Sequence, residues 1–130
     1  MYNAVAEYRK TQVLNASGVE VIVLLYDAAL QSMRLAQDSI RGNNQADKAR
    51  FLGRALNIVG ELANVLDMER GGEIAATLRR LYDYVLHELS QTNLKNDPKR
   101  LDGPIRCMTT LREAWEQLAA SPVMAAAVAG

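Results

Sequence analysis

Apolar residues recur along this chain at the three-and-four spacing of helical faces, and no run of useful length alternates as a strand would. The pattern is clearest in residues 66–98, where Ile74, Leu78, Leu81, Val85 and Leu89 share one face behind the Gly71–Gly72 pair. Asp97 followed by Pro98 ends that segment. Such a pair offers a helix N-cap and a residue already fixed at helical φ, so the next helix is predicted to begin there.

Three more helices follow from the same reasoning. Ser17 and Glu20 form an S-x-x-E capping box, which opens a first helix that runs to Arg41 and stops at Gly42, Asn43 and Asn44. A second helix is predicted over 45–69, with Leu52, Ala55, Val59, Leu62 and Leu66 as its seam. Gly53 and Gly60 lie on one side of it with Asn57 and Asn64, for which the spacing leaves two explanations. Either a neighbouring helix packs closely there, or a bound partner does. The last helix, 98–119, turns Leu101, Ile105, Met108, Leu111, Trp115 and Leu118 inward. Within it, Asp102–Gly103–Pro104 predicts a kink or a fresh start capped by Asp102, because an interior proline removes a backbone hydrogen bond. Short connections make the simplest arrangement an all-α, antiparallel up-and-down four-helix bundle. It is expected to occupy 1–120 as one domain, with 1–16 as an N-terminal arm and 121–130 as a disordered tail.

Composition narrows the function more than the fold. The 130 residues hold 15 basic and 15 acidic side chains, so no net positive field exists to attract nucleic acid. Glu7, Arg9 and Lys10 interrupt the start of the chain before a signal sequence can build, and 21–26 is too short an aliphatic run to insert in a membrane. With Cys107 as its only cysteine, the chain can form no internal disulfide, which fits a reducing cytoplasm. That thiol is expected to be a small, half-buried packing group.

Catalysis has no visible carrier. A metal carboxylate bundle needs two Glu-x-x-His pairs facing inward, whereas His87 is the only histidine and is expected to be solvated on its helix. Gly71–Gly72 joins helix to helix and so makes no phosphate loop, and no triad spacing stands out. The paired bases Arg79–Arg80 and Lys99–Arg100 are flanked by acids and read as solvated helix faces. Neither an enzyme nor a cofactor is expected.

The first helix is more informative. Ile22, Leu25, Tyr26, Ala29 and Met33 form one apolar stripe, while Val21, Leu24, Ala28 and Leu35 form another. One bundle core needs only one such stripe. The spare surface suits an amphipathic partner helix held in a groove, or else is covered by the 1–16 arm or by a second copy in a weak, partner-free homodimer. Periodicity alone leaves these open, along with a generic helical adaptor for some other peptide.

The phrases LYDAAL, LDMERGGEIA, LYDY and NLKNDP, together with the ASGVEVIVLLYDAAL stretch at 16–30, resemble the FliS family of flagellar export chaperones from about Tyr8 to Leu118. Two departures stand out: Gly18 where the family usually has proline, and Gly103–Pro104 where its last helix is uninterrupted. The resemblance implies a cytoplasmic chaperone for the C-terminal segment of flagellin, which is disordered until it folds into helices around the bundle. It also implies masking of the segment that drives polymerisation and docking of the loaded complex on the membrane export-gate protein. The tyrosine of the family's N-terminal arm corresponds to Tyr8, or alternatively to Tyr2. On the helices, Leu24, Leu25, Tyr26, Ile58, Leu62, Val65, Ile74, Leu78, Tyr82 and Val85 are the pool from which groove residues are expected. Tyr26 and Tyr82 are favoured as mixed contacts, since a phenol can bury its ring while its hydroxyl reaches a partner or water.

Overall fold

The computed structural model describes residues 18–119, and every regular element among them is helical. α1 spans Gly18–Arg41, α2 Gln45–Asn64, α3 Met68–Lys95 and α4 Asp102–Ala119, with a 3-10 turn at Pro98–Leu101 ahead of α4. The predicted four-helix bundle is therefore observed. The expectations for the arm, its Ser17 cap and Tyr8, and for the 121–130 tail, lie outside the described residues.

Polar side chains close the turns much as the sequence implies. Asn43 takes the left-handed conformation after α1, and the Asn44 side chain accepts from the Asp47 amide at 3.0 Å to cap α2. Asn96 repeats the left-handed exit after α3, and Asp97 accepts from the Lys99 amide at 3.0 Å. Asparagine serves at both exits because its short polar side chain tolerates that region better than most residues do.

Two boundaries differ from expectation. α2 ends at Asn64 rather than near residue 69, because Asp67 accepts from the Arg70 amide at 3.0 Å and starts a new helix at Met68. A good N-cap here overrides an apolar seam that would otherwise continue. Gly72, at φ 53 and ψ −128, then breaks the regular backbone inside α3, so the interruption read at Gly71–Gly72 is a kink near the start of this helix. At the other boundary, α4 does make a fresh start at Asp102, but the Asp102 carboxylate does not cap it. Asp102 accepts from Gln37 Nε2 at 2.9 Å, and Gln37 also donates to the Pro98 carbonyl at 3.0 Å, which ties the 3-10 turn to α1. Pro104 falls in the first turn of α4, where its missing N–H would have had no partner within the helix.

The core consists of the stripes foreseen from periodicity: Ile22, Leu25, Tyr26, Ala29 and Met33 from α1, Leu52, Ala55, Val59 and Leu62 from α2, Leu78, Tyr82, Val85 and Leu89 from α3, and Met108 and Trp115 from α4. Val21, from the second α1 stripe, is buried too. Close helix packing at Gly53 and Gly60 is not observed: a Cβ built at either meets no atom within 4 Å. Lys48 is buried at the start of α2, and its ammonium donates to the Asn93 carbonyl in the last turn of α3 at 3.1 Å. A cation is favoured there by the unpaired carbonyls and the negative end of the helix dipole.

α1 packs along both α2 and α4, and α2 along α3, whereas α3 and α4 barely meet. Among the described residues, three seams of the bundle are closed and the fourth is open.

Candidate functional site

The open seam is a groove. Ile74, Thr77, Leu78 and Leu81 of α3 form one wall, Leu111, Ala114, Trp115 and Leu118 of α4 form the other, and they enclose about 330 Å³. Apolar atoms line almost all of it, with Glu73 as the one charged residue on its margin. Ile74 is 55% exposed on one rim, and Trp115, only 4% exposed, lies deepest.

Trp115 connects the groove to the core. Its indole N–H donates to the Tyr26 hydroxyl at 3.1 Å, and Tyr26 and Tyr82 meet hydroxyl to hydroxyl at 2.5 Å, their rings tilted by 55°. Tyr26 and Tyr82 are 0% and 1% exposed. Burial pushes the Tyr82 hydroxyl up to about 12, and raises Tyr26 further with the help of its neighbour Tyr82. Both phenols therefore remain neutral, and the three polar groups satisfy one another in an otherwise oily interior. The two tyrosines favoured as mixed contacts thus have rings and hydroxyls alike turned inward, their polar groups held by one another and by Trp115.

The other expected groove residues are dispersed. Ile74 and Leu78 line the groove, whereas Leu25, Ile58, Leu62 and Val85 are core residues. Leu24 is 54% exposed on α1 and lies apart from the groove, and Val65 is half-buried at the C-cap of α2. Sequence reasoning placed Leu111, Trp115 and Leu118 on the inner face of α4 but not among the binding residues. Their shared stripe was visible. That α3 and α4 stand apart over this stretch was not, and the spacing of helices is a property of the assembled bundle.

A second, more polar depression lies on the α1–α4 seam. Arg112 bridges it, pairing with Asp27 through its Nε and with Glu116 at 3.1 Å. These groups neutralise one another at a closed seam. Cys107 is half-buried as expected, and burial pushes its thiol up, away from the reactive thiolate. His87 is exposed beside Glu88. Among the described residues no cluster of His, Cys, Asp and Glu could hold a metal ion, and no helix is long and apolar enough to cross a membrane.

Known proteins are similar to this chain along most of its length. The family model "Flagellar protein FliS" matches residues 1–122. The flagellar secretion chaperone FliS of Vibrio cholerae is 32% identical over 122 residues, covering 91% of this chain and 90% of that protein. Its counterpart in Salmonella typhimurium is 34% identical over 110 residues, covering 84% and 82%, and that of Bacillus subtilis is 33% identical over 115 residues, covering 88% and 85%. These relatives are named chaperones, a class that works by binding and not by catalysis. With a bundle of the expected architecture and a match along nearly its whole length, this chain belongs to the FliS family of flagellar proteins.

Proposed function

We propose that this protein is a flagellar export chaperone that holds the C-terminal segment of flagellin, beginning in the α3–α4 groove and wrapping onto the outer surface of the bundle. The observation that carries this reading is the groove itself, an apolar trough between two helices of a folded monomer. A helix presenting apolar residues at three-and-four spacing fits such a trough, as helix-in-groove recognition requires. Of the expected contacts, Ile74 and Leu78 meet the segment directly. Leu24 and Val65 extend the contact beyond the groove, while Leu25, Tyr26, Ile58, Leu62, Tyr82 and Val85 hold the helices that shape the surface.

Covering the apolar face of that segment prevents flagellin from polymerising in the cytoplasm, and the loaded complex docks on the export-gate membrane protein. Residues 1–120 act as one unit, with Tyr8 in the arm controlling access to the groove. A segment that folds as it binds buries on the order of 1,000–3,000 Å² and spends several kcal/mol on ordering, which keeps tight binding reversible for release at the gate.

Calorimetry of the full chain with a C-terminal flagellin peptide tests this reading. Binding with a negative heat-capacity change is expected, and complete absence of binding at micromolar concentrations overturns it.

A further inference from the structure

We infer that Tyr84 of α3 is a strut for the groove: its phenol, seated over Gly103 of α4, holds the two helices at the spacing that lets a partner helix enter. The inference deepens the reading of the groove as the partner site and rests on it.

Tyr84 and Gly103 stand on the rows of side chains that continue out of the groove. On α3, Leu81, Tyr84 and Glu88 follow one another at three-and-four spacing, and on α4 Gly103, Cys107 and Leu111 do so at every fourth position. Leu81 and Leu111 line opposite walls of the groove. Further along, the same two rows meet at Tyr84 and Gly103, and beyond them Glu88 pairs with Arg100 of the 3-10 turn at 3.5 Å. The seam between α3 and α4 is thus bridged at one end and open at the other. Its bridged end is fixed to the bundle, because Gln37 of α1 donates to Asp102 at 2.9 Å and to the Pro98 carbonyl at 3.0 Å.

Gly103 makes a seat through what it lacks. Among the described residues only Gly72 is a glycine with positive φ, so no left-handed backbone demands glycine at 103. A Cβ built there would overlap the Tyr84 hydroxyl, whereas the ring carbon that bears the hydroxyl would lie 3.7 Å from it, an ordinary contact. The tip of the phenol therefore fills the space that a side chain would take. What this contact resists is closure of the groove. Its walls are apolar, and drawing them together would remove that surface from water, which is favourable. A ring standing between α3 and the backbone of α4, one turn from Leu81, opposes the collapse.

Spin labels measure the spacing without any partner. In a Cys107→Ser background, nitroxides at Arg80→Cys on α3 and Gln117→Cys on α4, both exposed and outside the groove lining, give the distance between the helices by double electron–electron resonance. Tyr84→Ala removes the strut, while Gly103→Ala fills its seat and turns the phenol, already 42% exposed, out into solvent. Each should shorten the distance by about 1–2 Å and weaken binding of the C-terminal flagellin peptide about fivefold. An unchanged or longer distance overturns the inference, as does an unchanged affinity alongside a shorter one. Adding Tyr84→Phe to Gly103→Ala should restore both quantities, because the ring without its hydroxyl accepts the new methyl. A side chain before Pro104 also disfavours helical backbone, and that strain is untouched by Tyr84→Phe, so absence of rescue overturns the strut. The distances come from the partner-free chain. Failure of the unmodified chain to bind the peptide therefore faults the groove assignment and leaves the spacing result readable.

Discussion

Tyr26 of α1 and Tyr82 of α3 are 56 residues apart in sequence and meet hydroxyl to hydroxyl at 2.5 Å, with Trp115 of α4 completing the contact. Three helices are thus joined by one buried polar node directly behind the groove. Because Tyr82 and Trp115 each bond to the Tyr26 hydroxyl at the centre, removing one group leaves a buried donor or acceptor unmatched.

Tyr26→Phe should destabilise the fold by about 2–3 kcal/mol, and Tyr82→Phe by about 1–2 kcal/mol. The order follows from position in the node: loss of the Tyr26 hydroxyl strands both Tyr82 and the Trp115 indole, whereas loss of the Tyr82 hydroxyl leaves the indole bond intact. Urea denaturation of the two variants checks this, and equal costs would show that Trp115 draws nothing from Tyr26.

Alkaline pH should weaken the protein through the same pair. Both hydroxyls have raised pKa values in the folded state, so their contribution is fully present below the unfolded value of 10.0 and is lost as pH rises, for Tyr82 towards about 12. In that window the unfolded chain releases its protons first, and stability falls by about 1.4 kcal/mol per pH unit for each tyrosine. Urea midpoints at pH 8, 10 and 11 should show the decline, and Tyr82→Phe should make it shallower.

At the groove rim, function and stability should separate. Ile74 is more than half exposed, so Ile74→Ala is expected to change stability by less than about 0.5 kcal/mol while weakening binding of the flagellin segment about tenfold. Leu24→Ala should show the same split with a smaller loss of affinity. Calorimetry alongside thermal melts reads both quantities, and unaltered binding in Leu24→Ala would confine the partner to the α3–α4 face.

Glycines should respond in opposite directions. Gly53 and Gly60 stand inside α2 with open space where a Cβ would go, so Gly53→Ala and Gly60→Ala should each stabilise by about 0.4–1 kcal/mol. Gly72 has a positive φ that an L side chain adopts only under strain, and Gly72→Ala should cost about 1–3 kcal/mol. Thermal melts of the three variants decide the matter. A loss at Gly60 would mean that a packing contact exists there.

Much of this molecule was legible one residue at a time. Apolar stripes gave the four helices and most of the core, and Asp97 caps where turn chemistry predicts. Misreadings arose where two local signals competed, as when the Asp67 cap cut short the seam leading to residue 69, or where a polar side chain found a partner far along the chain, as Asp102 did with Gln37. Periodicity also recognised Leu111, Trp115 and Leu118 as one face without showing that this face is left partly uncovered.

The sequence by itself determined the helices, their caps and the family, because these depend on neighbours three or four residues away and on phrases that survive as words. Only the tertiary structure decided which apolar residues are consumed by the core and which line the α3–α4 groove. That choice rests on the separation of α3 and α4, and a helix carries no local record of how far away its neighbour will settle.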